Sequence, residues 1–241
     1  MLVAGTETVW WTDCRGRLWR APLLESLPTV AESGPVAAVA VDANSLYWVA
    51  LDRRQLKQRH FDGTGERVMS GALVVLGRHV VSVDGSRAYF AALPASLDGS
   101  WEMSGVWATT IDGGEPVQLA VHEGTVDEVV ADSSLIFWTE GDRIHRTAAT
   151  AGASTILIQS FGGTSGMIAR GQRLYFIGSH GSDSFSAIRS VSFDGFDART
   201  HYQSACGIGA LALDDQAFYL AECTKEGPST SPRLRRIPRD L

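Results

Sequence analysis

VAVDANSLYW, residues 39–48, returns as VSVDGSRAYF at 81–90 and as VVADSSLIFW at 129–138. Each copy is an apolar run ending in Asp, then a short polar turn, then an aromatic pair. Looser copies are MIARGQRLYF at 167–176 and LALDDQAFYL at 211–220, and the opening LVAGTETVWW at 2–11 fits the same frame. The second residue of each pair falls at Trp11, Trp48, Phe90, Trp138, Phe176 and Leu220, at intervals of 37, 42, 48, 38 and 44 residues. Self-similarity near this period marks an array of four-stranded units.

Within one repeat the strands follow from local chemistry. Val36–Asp42 is nearly all apolar, as an inner strand buried on both faces would be. Ala43-Asn44 is turn material, Ser45–Leu51 an aromatic-rich second strand, and Gln55–Phe61 an alternating third. Asp62-Gly63-Thr64-Gly65 closes a hairpin onto an outer edge at Arg67–Met69, since Asp-Gly tolerates positive φ. The same dipeptide recurs at Asp112-Gly113 and Asp194-Gly195. No window of helical periodicity competes. The expectation is an all-β, six-bladed β-propeller of four-stranded antiparallel blades, one domain over 1–241, with repeats near 1–34, 35–76, 77–124, 125–162, 163–205 and 206–241. The last blade reads as incomplete, with strands at Gly207–Leu213, Gln216–Glu222 and Arg233–Ile237 and no fourth before Leu241. Upstream residues that complete this blade and pair with Cys14 are expected to precede the chain. Adjacent strand residues point to opposite faces, so each aromatic pair is expected to pack against both neighbouring blades.

Composition narrows the function classes. Of 241 residues, 44% are hydrophobic and 20% charged, with a net charge of −6, which argues against a dedicated nucleic-acid binder. No apolar run approaches the 18 or more residues of a membrane helix, and no signal peptide is visible.

Trp10-Trp11-Thr12-Asp13 and Phe137-Trp138-Thr139-Glu140 resemble the YWTD signature of lipoprotein-receptor-type six-bladed propellers, and Tyr47-Trp48-Val49-Ala50 is a decayed copy. The repeated phrase also resembles bacterial six-bladed propellers of unknown function, many of them secreted or lipid-anchored. The resemblance spans the chain and concerns architecture. It departs at Gly178 and Glu222, which stand where the Thr-Asp pair would be, so receptor-type ligand contacts are not carried over. Lactonase-type propellers hold metal with carboxylates and asparagines, whereas Asn44, in a turn, is the sole asparagine here.

Cys206 and Cys223 flank the last inner hairpin. With a two-residue Asp214-Asp215 turn they would face each other, close enough for a disulfide, with two buried free thiols as the alternative. A disulfide would favour an extracytoplasmic location.

Five residues before the repeat's Asp stand Ala37, His79, Asp127, Ser165 and Gly209. His79 and Asp127, with Glu128 beside the latter, are candidates for a metal site or an acid–base pair. The alternative for them is a solvated rim. Gly-Gly-Thr-Ser-Gly at 162–166 lacks the residues of a phosphate loop and reads as an inter-blade turn. Arg53, Arg54, Lys57, Arg59 and His60 read as a charged outer strand, or as a surface for an anionic partner. An insertion at 94–105 carries Trp101 and Met103, candidates for recognition of a ligand or partner. No cofactor motif is present. The sequence therefore points to a non-catalytic binding scaffold for a protein, glycan or small ligand, with a metal-dependent lyase or hydrolase as the alternative.

Overall fold

The computed structural model describes residues 2–4, 8–12, 16–22, 29–32, 34–75, 80–94, 104–122, 124–132, 134–159, 163–180, 183–205, 207–223 and 232–239, and all are strand, turn or coil. By residue contacts the chain divides into two compact units, residues 1–138 with 147–154, and residues 139–146 with 155–241.

The strands form six sheets in chain order. The first contains β1 (Leu2–Ala4), β2 (Thr8–Thr12), β3 (Leu18–Pro22) and β4 (Thr29–Glu32). The second contains β5 (Val36–Val41), β6 (Ser45–Ala50), β7 (Gln55–His60) and β8 (Arg67–Val68). The third contains β9 (Leu73–Val75), β10 (Val81–Asp84), β11 (Arg87–Pro94), β12 (Ser104–Thr110) and β13 (Val117–His122). The fourth contains β14 (Glu128–Asp132), β15 (Leu135–Glu140), β16 (Arg143–Ala148) and β17 (Thr155–Gln159). The fifth contains β18 (Thr164–Arg170), β19 (Arg173–His180), β20 (Asp183–Ser192) and β21 (Arg199–Ser204). The last contains β22 (Ile208–Leu213), β23 (Ala217–Cys223) and β24 (Pro232–Pro238).

This succession of small antiparallel sheets is a β-propeller. The expectation of six blades, the last incomplete, is corrected to five, because among the described residues five sheets have four strands or more. The last has three among the described residues. The third gains a fifth strand because its inner edge is broken in two. Val75 of β9 faces Ala92, and Val81 of β10 faces Phe90, so both short strands pair with β11.

The repeated phrase has a stereochemical basis. Asp42 Oδ1 accepts the backbone N–H groups of Asn44 and Ser45, both at 2.7 Å, and its Oδ2 accepts the Tyr47 hydroxyl at 2.7 Å. Asp214 repeats this arrangement with Gln216, Ala217 and Tyr219, at 2.7, 2.7 and 2.8 Å. The aspartate thus caps the hairpin turn and anchors the first aromatic of the pair. In this frame the last turn is Asp215-Gln216 and Leu213 faces Phe218, rather than a turn at Asp214-Asp215. Beyond a bulge Ile208 faces Glu222; Cys206, expected opposite Cys223, lies outside the described residues.

The pair Tyr47-Trp48 divides between two cores as its alternation requires, whereas Tyr89 and Phe90 share one. Tyr47 lies in the core cluster shared with Tyr89, Phe90 and Trp138, while its neighbour Trp48 lies in the cluster of Trp10, Leu18 and Leu46. Both are essentially closed to solvent. In the second unit Tyr175, Ile188, Phe218 and Leu220 form a core of their own. Bulges recur between third and fourth strands, at Leu18/Trp19, Val106/Trp107, Ile144/His145 and Ile188/Arg189. One extra residue at the same place in four sheets is a feature of the repeat and increases local twist.

Arginines join neighbouring sheets through backbone carbonyls. Arg59 Nη2 donates to Ala31 O at 2.8 Å and Arg87 Nη1 to Ala149 O at 2.8 Å. Arg67 donates through Nη1 to Asp112 O at 2.7 Å, through Nη2 to Ile111 O, and through Nε to Gln58 Oε1 at 2.6 Å. Arg146 reaches Phe193 O in the same way within the second unit.

Candidate functional site

His79, Trp101, Met103, Cys14 and Cys206 lie outside the described residues, as does the side chain of Cys223. Asp127 is exposed just before β14, whereas Glu128, its first residue, is 8% exposed. Thr164–Gly166, expected in an inter-blade turn, instead open β18.

The basic cluster takes a different form from a bare edge. β7 is paired on both sides, with β6 and with the two-residue β8, because the Asp62-Gly63 turn folds the chain back so soon. Lys57 Nζ lies 3.1 Å from Glu66 Oε1, while Arg53 and Arg54 stay exposed in the preceding turn. Arg59 and His60, beyond the reach of β8, join a cleft in the first unit.

That cleft has a volume of about 250 Å³ and is lined by residues including Trp10, Arg20, Val30, Leu46, Arg59 and Phe61, with His60 and Asp62 on its turn side. The turn is built locally. Asp62 Oδ1 accepts Thr64 N–H at 2.9 Å and its hydroxyl at 2.7 Å, and Gly63 donates to His60 O at 2.9 Å with φ of +88°. The hydrogen bonds from Thr64 hold the Asp62 carboxyl below its ordinary value. Phe61 N–H donates to Asn44 O at 2.9 Å, which fixes the turn against the neighbouring hairpin. Phe61 is thereby stacked on Trp10, with centroids 5.5 Å apart and planes at 22°.

Two guanidinium groups complete the wall. Arg20 sits 5.9 Å from the Trp10 ring centroid and donates Nε–H to Thr29 Oγ1 at 3.2 Å. Arg59 sits 5.3 Å from the Trp48 centroid, held by its bond to Ala31. His60 Nδ1 is 3.0 Å from Ser45 Oγ. The arrangement offers an aromatic face and planar cationic donors, suited to binding. Sequence reading marked Arg59 and His60 but missed Trp10, Arg20 and Phe61, since nothing local tells which residues of two separate hairpins meet.

The second unit holds a different polar group. Ser190 Oγ is 2.8 Å from His201 Nε2 and accepts from Arg173 Nε at 3.2 Å and Nη2 at 3.0 Å. Arginine only donates, so the serine's own hydrogen goes to His201 Nε2. Serine beside histidine is the arrangement of an activated nucleophile. Ser190, however, is 1% exposed, and His201 packs against Tyr175 and Phe218 at 5.8 and 5.1 Å. A substrate has no access to this hydroxyl, and the group ties strands together. Burial pushes the His201 imidazole below its ordinary value, and Arg173, Arg199 and Arg239 push it the same way. Nearby, Glu222 accepts from Tyr202 Oη at 2.9 Å and from Ser204 Oγ, with Arg235 Nε at 3.3 Å. Burial alone would raise its carboxyl, but these bonds and the charges of Arg235 and Arg233 leave it lowered.

No protein-family model matches the chain, and no curated protein matches it. Solved structures do. One is a chain of the nidogen/laminin complex, with a TM-score of 0.62 at 17% identity, covering 82% of this chain and 75% of that one. Another is a putative TolB from Agrobacterium tumefaciens, with a TM-score of 0.58 at 16% identity, covering 82% and 77%. A third is an oligogalacturonate lyase in complex with manganese, with a TM-score of 0.64 at 12% identity, covering 87% of this chain and 65% of that one. At such identities the likeness is one of fold, and it places this chain among β-propellers.

Proposed function

We propose that this protein is a non-catalytic binding module whose partner engages side chains carried on the sheet ends. The supporting observation is the cleft of the first unit, which combines stacked aromatics with two guanidinium groups on rigid strands and turns. Such a lining recognises and orients, and the serine that lies beside its His60, Ser45, is 2% exposed and closed to a substrate. The likeness to a chain of the nidogen/laminin complex, a protein assembly, supports the same reading.

The test pairs binding with turnover. Purified protein is screened against peptide and glycan arrays, and separately incubated with oligogalacturonate and manganese while unsaturated product is followed by ultraviolet absorbance. Saturable binding to an array member without product supports a binding module. Manganese-dependent product that disappears in Glu128→Gln would overturn it in favour of a metal-dependent lyase, and so would silence on every array.

A further inference from the structure

We infer that the cleft of the first unit receives a glutamate side chain from an acidic segment of a partner protein. The inference rests on the binding-module reading and names the partner of that site. Size is the first argument. A cleft of about 250 Å³ is smaller than the roughly 300–1,000 Å³ typical of drug-sized ligands, and suits one inserted side chain.

The lining supplies the second. Trp10, Phe61, Val30 and Leu46 offer apolar surface for a two-carbon stem, and the arginines stand beside it. Among the described residues Arg20 donates only through Nε, to Thr29, so both of its Nη groups keep donors for a planar carboxylate. Among the described residues, the one carboxylate lining the cleft, Asp62, and nearby Glu66 already have partners. Asp62 Oδ1 is held by Thr64, and Glu66 accepts from Lys57 and lies 3.6 Å from Arg59. A phosphate would gain nothing from the aromatic wall, whereas a glutamate matches both its stem and its head.

Charge is the third argument. The chain carries a net −6, yet two arginines, Arg20 and Arg59, line this cleft. A local cationic surface on an acidic protein selects an acidic partner and directs its approach.

Titrating the full chain with a hexaglutamate peptide, followed by tryptophan fluorescence and calorimetry, tests this. Hexaglutamine and an oligogalacturonate serve as the neutral and the glycan comparisons. Hexaglutamate should bind, more tightly at low salt, and hexaglutamine should not. Arg20→Gln, an exposed position, should weaken binding roughly fivefold or more, and Arg20→Lys should recover part of it. Arg233→Gln, in the other unit, should leave affinity unchanged. Hexaglutamate binding that survives Arg20→Gln, or that falls equally with Arg233→Gln, overturns the assignment to this cleft. Preference for oligogalacturonate overturns the assignment to a protein segment. If hexaglutamate is silent while another array member binds, this inference falls and the binding-module reading stands.

Discussion

Tyr47 shows why one phrase recurs along the chain. Its ring fills the core shared with Tyr89 and Trp138, and its hydroxyl closes the turn that Asp42 caps. Burial, then the bond to Asp42 and that residue's charge, holds the Tyr47 phenol above its ordinary value. Removing the hydroxyl in Tyr47→Phe keeps the packing and should cost about 1 kcal/mol, measured by urea unfolding. A tyrosine raised in the folded state stabilises below its unfolded value near 10, and the benefit is lost as pH climbs above it. The variant should therefore show a flatter stability profile in alkali, and an unchanged profile would mean that neither burial nor Asp42 holds the phenol up. His201 works in the opposite direction. Its folded value is lowered, so its neutral form contributes stability above about pH 6.5, and that contribution is lost as pH falls through the folded value. Urea midpoints at pH 7 and pH 5 should fall further apart in the native protein than in His201→Gln.

Between elements, the connecting groups are arginines. The sequence has 21 basic residues, of which only Lys57 and Lys225 are lysines. Arg67 shows what arginine adds, since one fork reaches Gln58, Ile111 and Asp112 together. A lysine has a single ammonium and cannot span three acceptors in fixed directions. Arg67→Lys should therefore destabilise by about 1–3 kcal/mol despite keeping its charge, as thermal and urea unfolding would report. A loss below a few tenths would mean that these carbonyls are equally well served by water. At this scale hairpins and their turns were legible in the sequence. The aspartate frame was legible too, yet the last turn is Asp215-Gln216, as the copy at Asp42 with its Ala43-Asn44 turn implies. The split inner edge at β9 and β10 was not legible, because a broken strand and a continuous one share the same apolar composition.

Across the molecule, stability is pooled between sheets. Trp138 is fully buried in a cluster that draws on the second, third and fourth sheets, from Ala38 to Ala149. Truncation in Trp138→Ala should cost about 3–5 kcal/mol, a large share of the roughly 5–15 kcal/mol available to a domain. Hydrogen exchange should then quicken in β6 and β11 as well as in β15. Acceleration confined to β15 would show that the sheets are energetically separate. The sequence by itself determined the all-β architecture, the repeating sheet and the buried aromatic pairs, because strand alternation, turn chemistry and period are local properties. It also marked Arg59 and His60 as charged positions. Only the tertiary structure decided the blade count, five among the described residues where six were expected. It alone brought Trp10 and Arg20 of one sheet against Arg59 and Phe61 of the next. It also closed Ser190 and His201 away from solvent-borne substrate. Contacts between separate hairpins depend on how sheets pack, which no residue's neighbours in sequence specify.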